Sequence, residues 1–379
     1  MVGPEELEDG AANYGGDDGS REAIHARGNG LAGWAFVFVA GGCAEPVVCV
    51  WAREIVGDCL KRDDYTLRPA KLRWLLDSDP AIRWQVMRDI TGEAAGAVAE
   101  ERARVAAEGW GAELLGRQWA DGHWGAGKED RGLLTTLYTL AVLKDLGVDP
   151  ESKQARRMMK RVEERLVFRW LDNRPFLEGE TEPCINGRIL GIGAYFQKPN
   201  DRLARQLLRE QLDDGGWNCE AWPYESPKRP PSVRSSFHTT ICVLEGLLAY
   251  ERAGRGSAAV RKTRKRGEEY LLERGMFRSL RTGEAIDQRW LRFAFPTYWH
   301  YDVLRGLDYL RDAGVRPDGR VRDAVEIVVA RRHQNGRWPM NVLHPERIPV
   351  EMETAVGGAS RWNTLRALRV LRWAAGAAE

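Results

Sequence analysis

The chain has 379 residues, with 57 Lys and Arg against 55 Asp and Glu. That length buries one large core or two smaller ones, and a balanced charge gives no pull toward nucleic acid or an anionic membrane surface. The six cysteines, at positions 43, 49, 59, 184, 219 and 242, contain no Cys-x-x-Cys pair, so the sequence is not a disulfide framework and fits a reducing cytoplasm.

Residues 1–65 read as an N-terminal extension, disordered or loosely attached. Positions 1–30 are rich in Gly, Asp and Glu. Positions 31–52 are apolar but broken by Gly41, Gly42, Glu45 and Pro46, too interrupted for an integral membrane span. Arg21 and Arg27 ahead of Ala-Gly-Gly-Cys at 40–43 leave a minor expectation of a lipoprotein-type signal.

From 66 to 379 two kinds of helix alternate. Amphipathic, charged helices are expected near 72–76, 105–118, 154–168, 201–212, 258–272 and 321–333; the basic run at 261–266 falls on one of them as a solvated face. More apolar helices with small residues are expected at 82–90, 133–146, 184–196, 237–250, 298–310 and 362–373. A short phrase recurs between them: Gln118-Trp-Ala-Asp-Gly-His-Trp124, Gln211-Leu-Asp-Asp-Gly-Gly-Trp217 and Arg332-His-Gln-Asn-Gly-Arg-Trp338. Asp-Gly and Asn-Gly favour tight turns, because Gly accepts positive φ, and the following Trp is placed to close the end of a helix pair. Six outer/inner pairs predict an all-α fold, an (α/α)6 toroid. An open superhelix is the competitor, and the long repeat, the Gly-Trp turns and the count of six favour closure.

In a toroid the inner-helix N-termini share one end. Their unpaired N–H groups and partial positive charge favour anions or metal-bound carboxylates there. Glu182-Pro-Cys184 opens the third inner helix, with Pro where helix starts tolerate it. Ser236-Phe-His238-Thr opens the fourth, and Cys184 and His238 lie 54 positions apart, one repeat. Glu182, Cys184 and His238 therefore form a candidate three-ligand zinc site with an open fourth position. Cys219 is a further thiolate but follows a turn in the outer layer. Tyr298-Trp-His300-Tyr-Asp302 opens the fifth inner helix and offers His300 or Asp302 as acid/base. Arg131, Tyr138, Trp299 and Trp362 are candidate substrate contacts at the same mouth.

The Gly-Trp turns resemble the Gln-Trp motifs of squalene and terpene cyclases, and residues 66–379 resemble the prenyltransferase and squalene-cyclase α/α toroid superfamily. Phe237-His238-Thr239 followed by Cys-Val-Leu-Glu-Gly-Leu is similar to the histidine motif of protein prenyltransferase β subunits, and Glu182-x-Cys184 to their Asp-x-Cys pair. The resemblance implies zinc at Glu182, Cys184 and His238, and an isoprenoid or similar apolar substrate in a central cavity. Glu stands where that family has Asp, and the Asp-x-Asp-Asp acid motif of cyclases is absent. A metal-free cyclase using Asp302 or Glu182 as acid, and a non-catalytic toroid binding lipid or protein, are the alternatives.

Overall fold

The computed structural model describes residues 60–376 except 61, 126–130, 222–230 and 354. The expectations for residues 1–59, including the signal-like segment, lie outside these. The described chain is mostly helical: α1 Arg62–Tyr65, α2 Pro69–Leu76, α3 Pro80–Val86, α4 Ala95–Arg104, α5 Gly109–Gly116, α6 Arg131–Leu146, α7 Lys153–Arg165, α8 Pro183–Tyr195, α9 Asp201–Arg209, α10 Phe237–Tyr250, α11 Ala258–Glu273, α12 Val303–Asp312, α13 Arg322–Ala330 and α14 Arg361–Ala374. Two antiparallel two-residue ladders add the little sheet there is, Val167–Phe168 with Arg174–Pro175 and Trp338–Pro339 with Ala359–Ser360. Among the described residues no helix is long and apolar enough to cross a membrane. The helical turn α1 precedes the boundary expected at residue 66.

Helix starts follow local capping chemistry. Ser236 and Ser360 cap α10 and α14 by accepting the N–H groups of Thr239 and Asn363. Asp79 caps two helices at once: Oδ1 accepts the Ala81 N–H at 2.8 Å and Oδ2 the Trp110 N–H at 2.7 Å. That second bond explains why the helix expected over 105–118 begins only at Gly109, after a separate helix, α4, that was not expected. Gly109, at φ +62°, passes so close to the Asp79 carboxylate that a Cβ there would lie 2.0 Å from Oδ2. α12 also starts later than expected, at Val303 rather than Tyr298. Asp302 is its N-cap, and Tyr298 has a φ of +48° that no helix continues through.

The three Gly-Trp turns build one repeated joint. Trp124, Trp217 and Trp338 are fully buried. Each indole N–H donates 2.7 Å to a carbonyl ten residues earlier, of Leu114, Leu207 and Val328. Each Trp backbone N–H donates 3.0 Å to a threonine on the inner helix that follows, Thr136, Thr240 and Thr364. The glycines ahead, Gly122, Gly215 and Gly336, all have positive φ. Gln118 and Gln211 then tie each turn to the next outer helix through Met158 O and Thr263 O. In the third turn Arg332 takes the glutamine's place and ion-pairs with Asp64 of α1.

Successive inner helices contact one another. Trp84 and Gln85 of α3 donate to Leu146 O and Asp145 O of α6; the Arg188 guanidinium of α8 lies over the Tyr138 ring of α6. α8 and α10 touch backbone to backbone at Gly187, Gly191 and Gly246. Arg305 of α12 pairs with Glu245 of α10, and Arg366 of α14 with Asp308 of α12. The series returns to its start where Arg369 of α14 binds Gln85 and Asp89.

Candidate functional site

Two regions carry the chemistry. The first is the end where inner helices begin. Cys184 Sγ lies 3.5 Å from Glu182 Oε2, as two groups two residues apart at a helix start can. The third donor beside them is Cys219: one ligand atom from each of Glu182, Cys184 and Cys219 lies within 4.8 Å of the others. Tetrahedral zinc with bonds of about 2.3 Å holds its sulfurs about 3.8 Å apart, so this donor set fits the ion with a position left open. Cys219 is brought in because the chain after Trp217 turns back over α10, where its Sγ sits 3.4 Å from Thr239 Oγ1. A hydrogen bond with Cys219 and then burial push the Cys184 thiol well above its ordinary range, so the thiolate form needs a cation beside it.

His238 is not a member of that group. Its Nδ1 accepts the Tyr301 N–H at 2.8 Å, and its ring stands edge-on to Trp290 and Trp299. Burial, followed by His300 and Arg305, pushes it down to about 4. The one-repeat spacing predicts that His238 joins Cys184, but the Tyr301 N–H and the Trp290 and Trp299 rings hold the imidazole.

Asp302 is 3% exposed and its Oδ1 accepts the Arg305 N–H at 2.7 Å. Burial raises its carboxyl, opposed by Arg366, by Arg305 and by backbone N–H groups. These contacts make it the cap of α12, turned away from the cavities described below. His300 instead donates or accepts at Nε2 with both oxygens of Glu346, at 3.0 and 3.1 Å, and stacks face to face on His344. Burial and then His300 bring His344 down to about 4, while His300 and the Trp299 indole hold Glu346 down at about 2 against its burial. Trp299 donates to Glu346 at 2.6 Å and lies on His300. Tyr138 meets Tyr298 edge to face at 5.0 Å. Arg131 opens α6, and its side chain is outside the described residues.

The second region was not anticipated. The main cavity, about 850 Å³, is lined near the opposite ends of the inner helices, by Lys144 and Asp145, Tyr195, Arg252, Arg311 and Arg369 among others. The reason is a plug at the other end. Arg305, itself buried, donates to the carbonyls of Tyr298 and His300 and so holds 298–302 across the helix starts. A small pocket bounded by Tyr138, Arg188, Cys242 and Tyr298 lies there, and it shares Glu245, Lys144 and Arg305 with the main cavity. Trp362, stacked on Phe295 at 4.1 Å, walls the large cavity, together with Trp84 and Tyr309.

Basic side chains outnumber acidic ones around this cavity, nine to four. Several are joined in two groups: Arg369 and Arg88 on Asp89, and a chain from Arg252 through Asp312, Arg311 and Asp308 to Arg366. Arg102 donates to Gly147 O and the Tyr195 hydroxyl. Cations suit this end, because helix C-termini present unpaired carbonyls; Arg372, for example, donates to Ile90 O. Arg305, Arg366 and Arg369 are buried by pairing around the cavity, a signal that spacing alone does not carry, while Arg252 and Arg255 stay exposed.

No protein-family model matches the chain, and no curated protein matches it. Among solved structures it is similar to the type II terpene cyclase MstE from Scytonema. The form in complex with geranylgeranyl dihydroxybenzoate matches at 15% identity and a TM-score of 0.38, over 78% of this chain and 86% of that one. The apo form matches at 13% identity and a TM-score of 0.37, over 86% and 96%. Superpositions at this level assign no residue a role.

Proposed function

We propose that the chain is a closed (α/α)6 toroid and a prenyltransferase- or terpene-cyclase-like enzyme whose cavity takes an amphiphilic anion, an isoprenoid diphosphate or similar phosphorylated chain. Closure is supported by the succession of inner-helix contacts and by the return of α14 to α3 through Arg369. The substrate class rests on one observation: an 850 Å³ cavity with aromatic walls and an excess of arginine. A volume of that order suits a ligand of drug size or larger. A confined surplus of positive charge selects an anionic head, and Trp84, Phe295 and Trp362 offer apolar faces to a tail.

The lining favours chemistry at a diphosphate over protonation of a polyene. Burial would raise Glu245, but Arg305 overrides it and holds the carboxyl at about 2; Arg252 and Arg311 likewise keep Asp312 low. These carboxylates stay ionised and give no acid, whereas arginines positioned by them stabilise charge as it collects on a departing diphosphate. In such a step the allylic C–O bond breaks, its electron pair leaves with the diphosphate, and a nucleophile bonds to the carbon. Zinc held by Glu182, Cys184 and Cys219 would supply Lewis acidity and stabilise a bound thiolate or hydroxide at the plugged end, away from the cavity that takes the head, and the step at the diphosphate does not run through it. The chain's own part is to bind the head at the arginines and exclude water with Tyr138 and Tyr298.

The test is titration of the full chain with farnesyl diphosphate, farnesol and inorganic diphosphate, followed by calorimetry and tryptophan fluorescence. Farnesyl diphosphate should bind more tightly than either fragment, and Arg252→Gln/Arg255→Gln should weaken it about ten-fold. Equal affinity for farnesol would remove the anion argument. Binding without diphosphate release or cyclised product would leave a carrier rather than an enzyme.

A further inference from the structure

Three groups at the plugged end are not used by this reading. His300, His344 and Glu346 each offer a ligand atom within 4.8 Å of the others. A His–Glu ion pair accounts for His300 and Glu346 alone. It does not account for His344, whose ring centroid lies 3.7 Å from that of His300 with 5° between planes. Among the described residues no hydrogen bond joins the His344 ring to a protein group.

We propose that His300, His344 and Glu346 form a metal site of their own, a two-histidine, one-carboxylate centre for a divalent transition ion such as zinc or iron(II). Two imidazoles and one carboxylate match the donor set of open, catalytic-type centres and leave coordination positions for a small oxygen-donor ligand. Those positions face a pocket of about 220 Å³, bounded by His344 and Glu346 with Tyr298, Ile348, Val350 and Met352. The Trp299 indole fixes the Glu346 carboxylate at 2.6 Å, as the partner of a ligating carboxylate does. Arg305 holds the His300 carbonyl at 2.7 Å and Arg347 the His344 carbonyl at 2.7 Å, which fixes the backbone of both histidines. Nearly parallel rings must converge to share one ion. His344 is the one that turns, because it sits on a segment without regular secondary structure while the His300 backbone is pinned on both sides, its N–H on Thr297 O and its carbonyl on Arg305.

This site is independent of the proposed function, and its donors separate it from the thiolate group. The full chain would be titrated with Co2+, and the same made with the Cys184→Ser/Cys219→Ser variant. That variant should lose any thiolate-to-cobalt charge-transfer band yet keep visible d–d absorption from one bound ion. Adding His344→Ala should abolish the remaining absorption or weaken binding at least ten-fold, with unchanged far-ultraviolet circular dichroism. Glu346→Gln, which keeps nearly the same shape, should do the same if His344→Ala does not fold. Absence of cobalt absorption in the double-cysteine variant overturns the site. So does wild-type affinity in both His344→Ala and Glu346→Gln. Loss of the charge-transfer band alone bears on the cysteines and leaves this centre standing.

Discussion

Helices α8 and α10 meet with no side chains between them at Gly246, and adding one methyl group there should part them. A Cβ on Gly246 would lie 2.1 Å from Gly187 O and 2.8 Å from its carbonyl carbon. Ordinary contact needs about 3.5 Å, so the helices must separate by about 1 Å or more along a closely packed face. Overpacking of this kind costs about 1–3 kcal/mol, and more where backbone rather than a side chain must yield. Alanine returns about 1 kcal/mol through helix propensity. The net expectation for Gly246→Ala is a loss of about 2 kcal/mol, a fall of about 3 °C in Tm for a chain of this size. Gly116→Ala is the control, because a Cβ there meets nothing within 4 Å; it should be neutral or stabilising. Urea unfolding followed by circular dichroism measures both. If Gly246→Ala proves as stable as the parent chain, the backbone contact is not a stability determinant and the reasoning fails.

Other outcomes follow from the same contacts. Trp217→Phe keeps the ring but strands the Leu207 carbonyl inside the core, and should cost about 2 kcal/mol in urea unfolding. Glu245→Gln leaves the Arg305 guanidinium, 5% exposed, without its counter-charge. The loss should be about 2 kcal/mol, below that of a fully buried pair because Glu245 keeps 34% of its side chain exposed. The folded-state carboxyl lies near 2, below its unfolded value, so this stability is present above about pH 4.5 and fades as pH falls toward 2. Glu245→Gln should therefore flatten the acid limb of a stability–pH profile, and an unchanged limb would show that other carboxylates govern it. Asp302→Asn keeps a capping oxygen and should leave unfolding within about 1 kcal/mol and substrate turnover unchanged. A complete loss of turnover in a folded protein would return Asp302 to the chemistry.

The helices that sequence reasoning placed best are those whose pattern is continuous. α10 runs over 237–250 as expected, because an unbroken apolar segment follows a serine cap. The aromatic run 298–301 misleads by the same logic, since its start is decided by Tyr298's left-handed backbone and by Arg305 reaching back to two carbonyls. At the candidate site, the Glu182–Cys184 contact is legible, being fixed by two residues at a helix start. The approach of Cys219 is not, because it depends on the path of the chain after a turn. His344 and Glu346 are invisible for a similar reason: they lie 44 and 46 positions beyond His300 on a segment with no periodicity. The helix over 362–373 is expected among the more apolar ones, but the role of its cavity arginines is hidden, since it depends on partners such as Asp89 and Asp308 that come from other helices.

The joint between Arg332 and Asp64, with Arg361, Arg369 and Arg372 of α14 reaching Asp77, Gln85 and Ile90, unites the two extremes of the described chain. During synthesis the α2–α3 hairpin emerges long before α14 and finds none of these partners until that helix leaves the ribosome. For most of translation, then, Trp84 and its neighbours have an uncovered flank, a natural binding surface for a chaperone. Removing α14 should leave not a slightly shorter protein but an unsealed one, prone to pair its open edge with that of another copy.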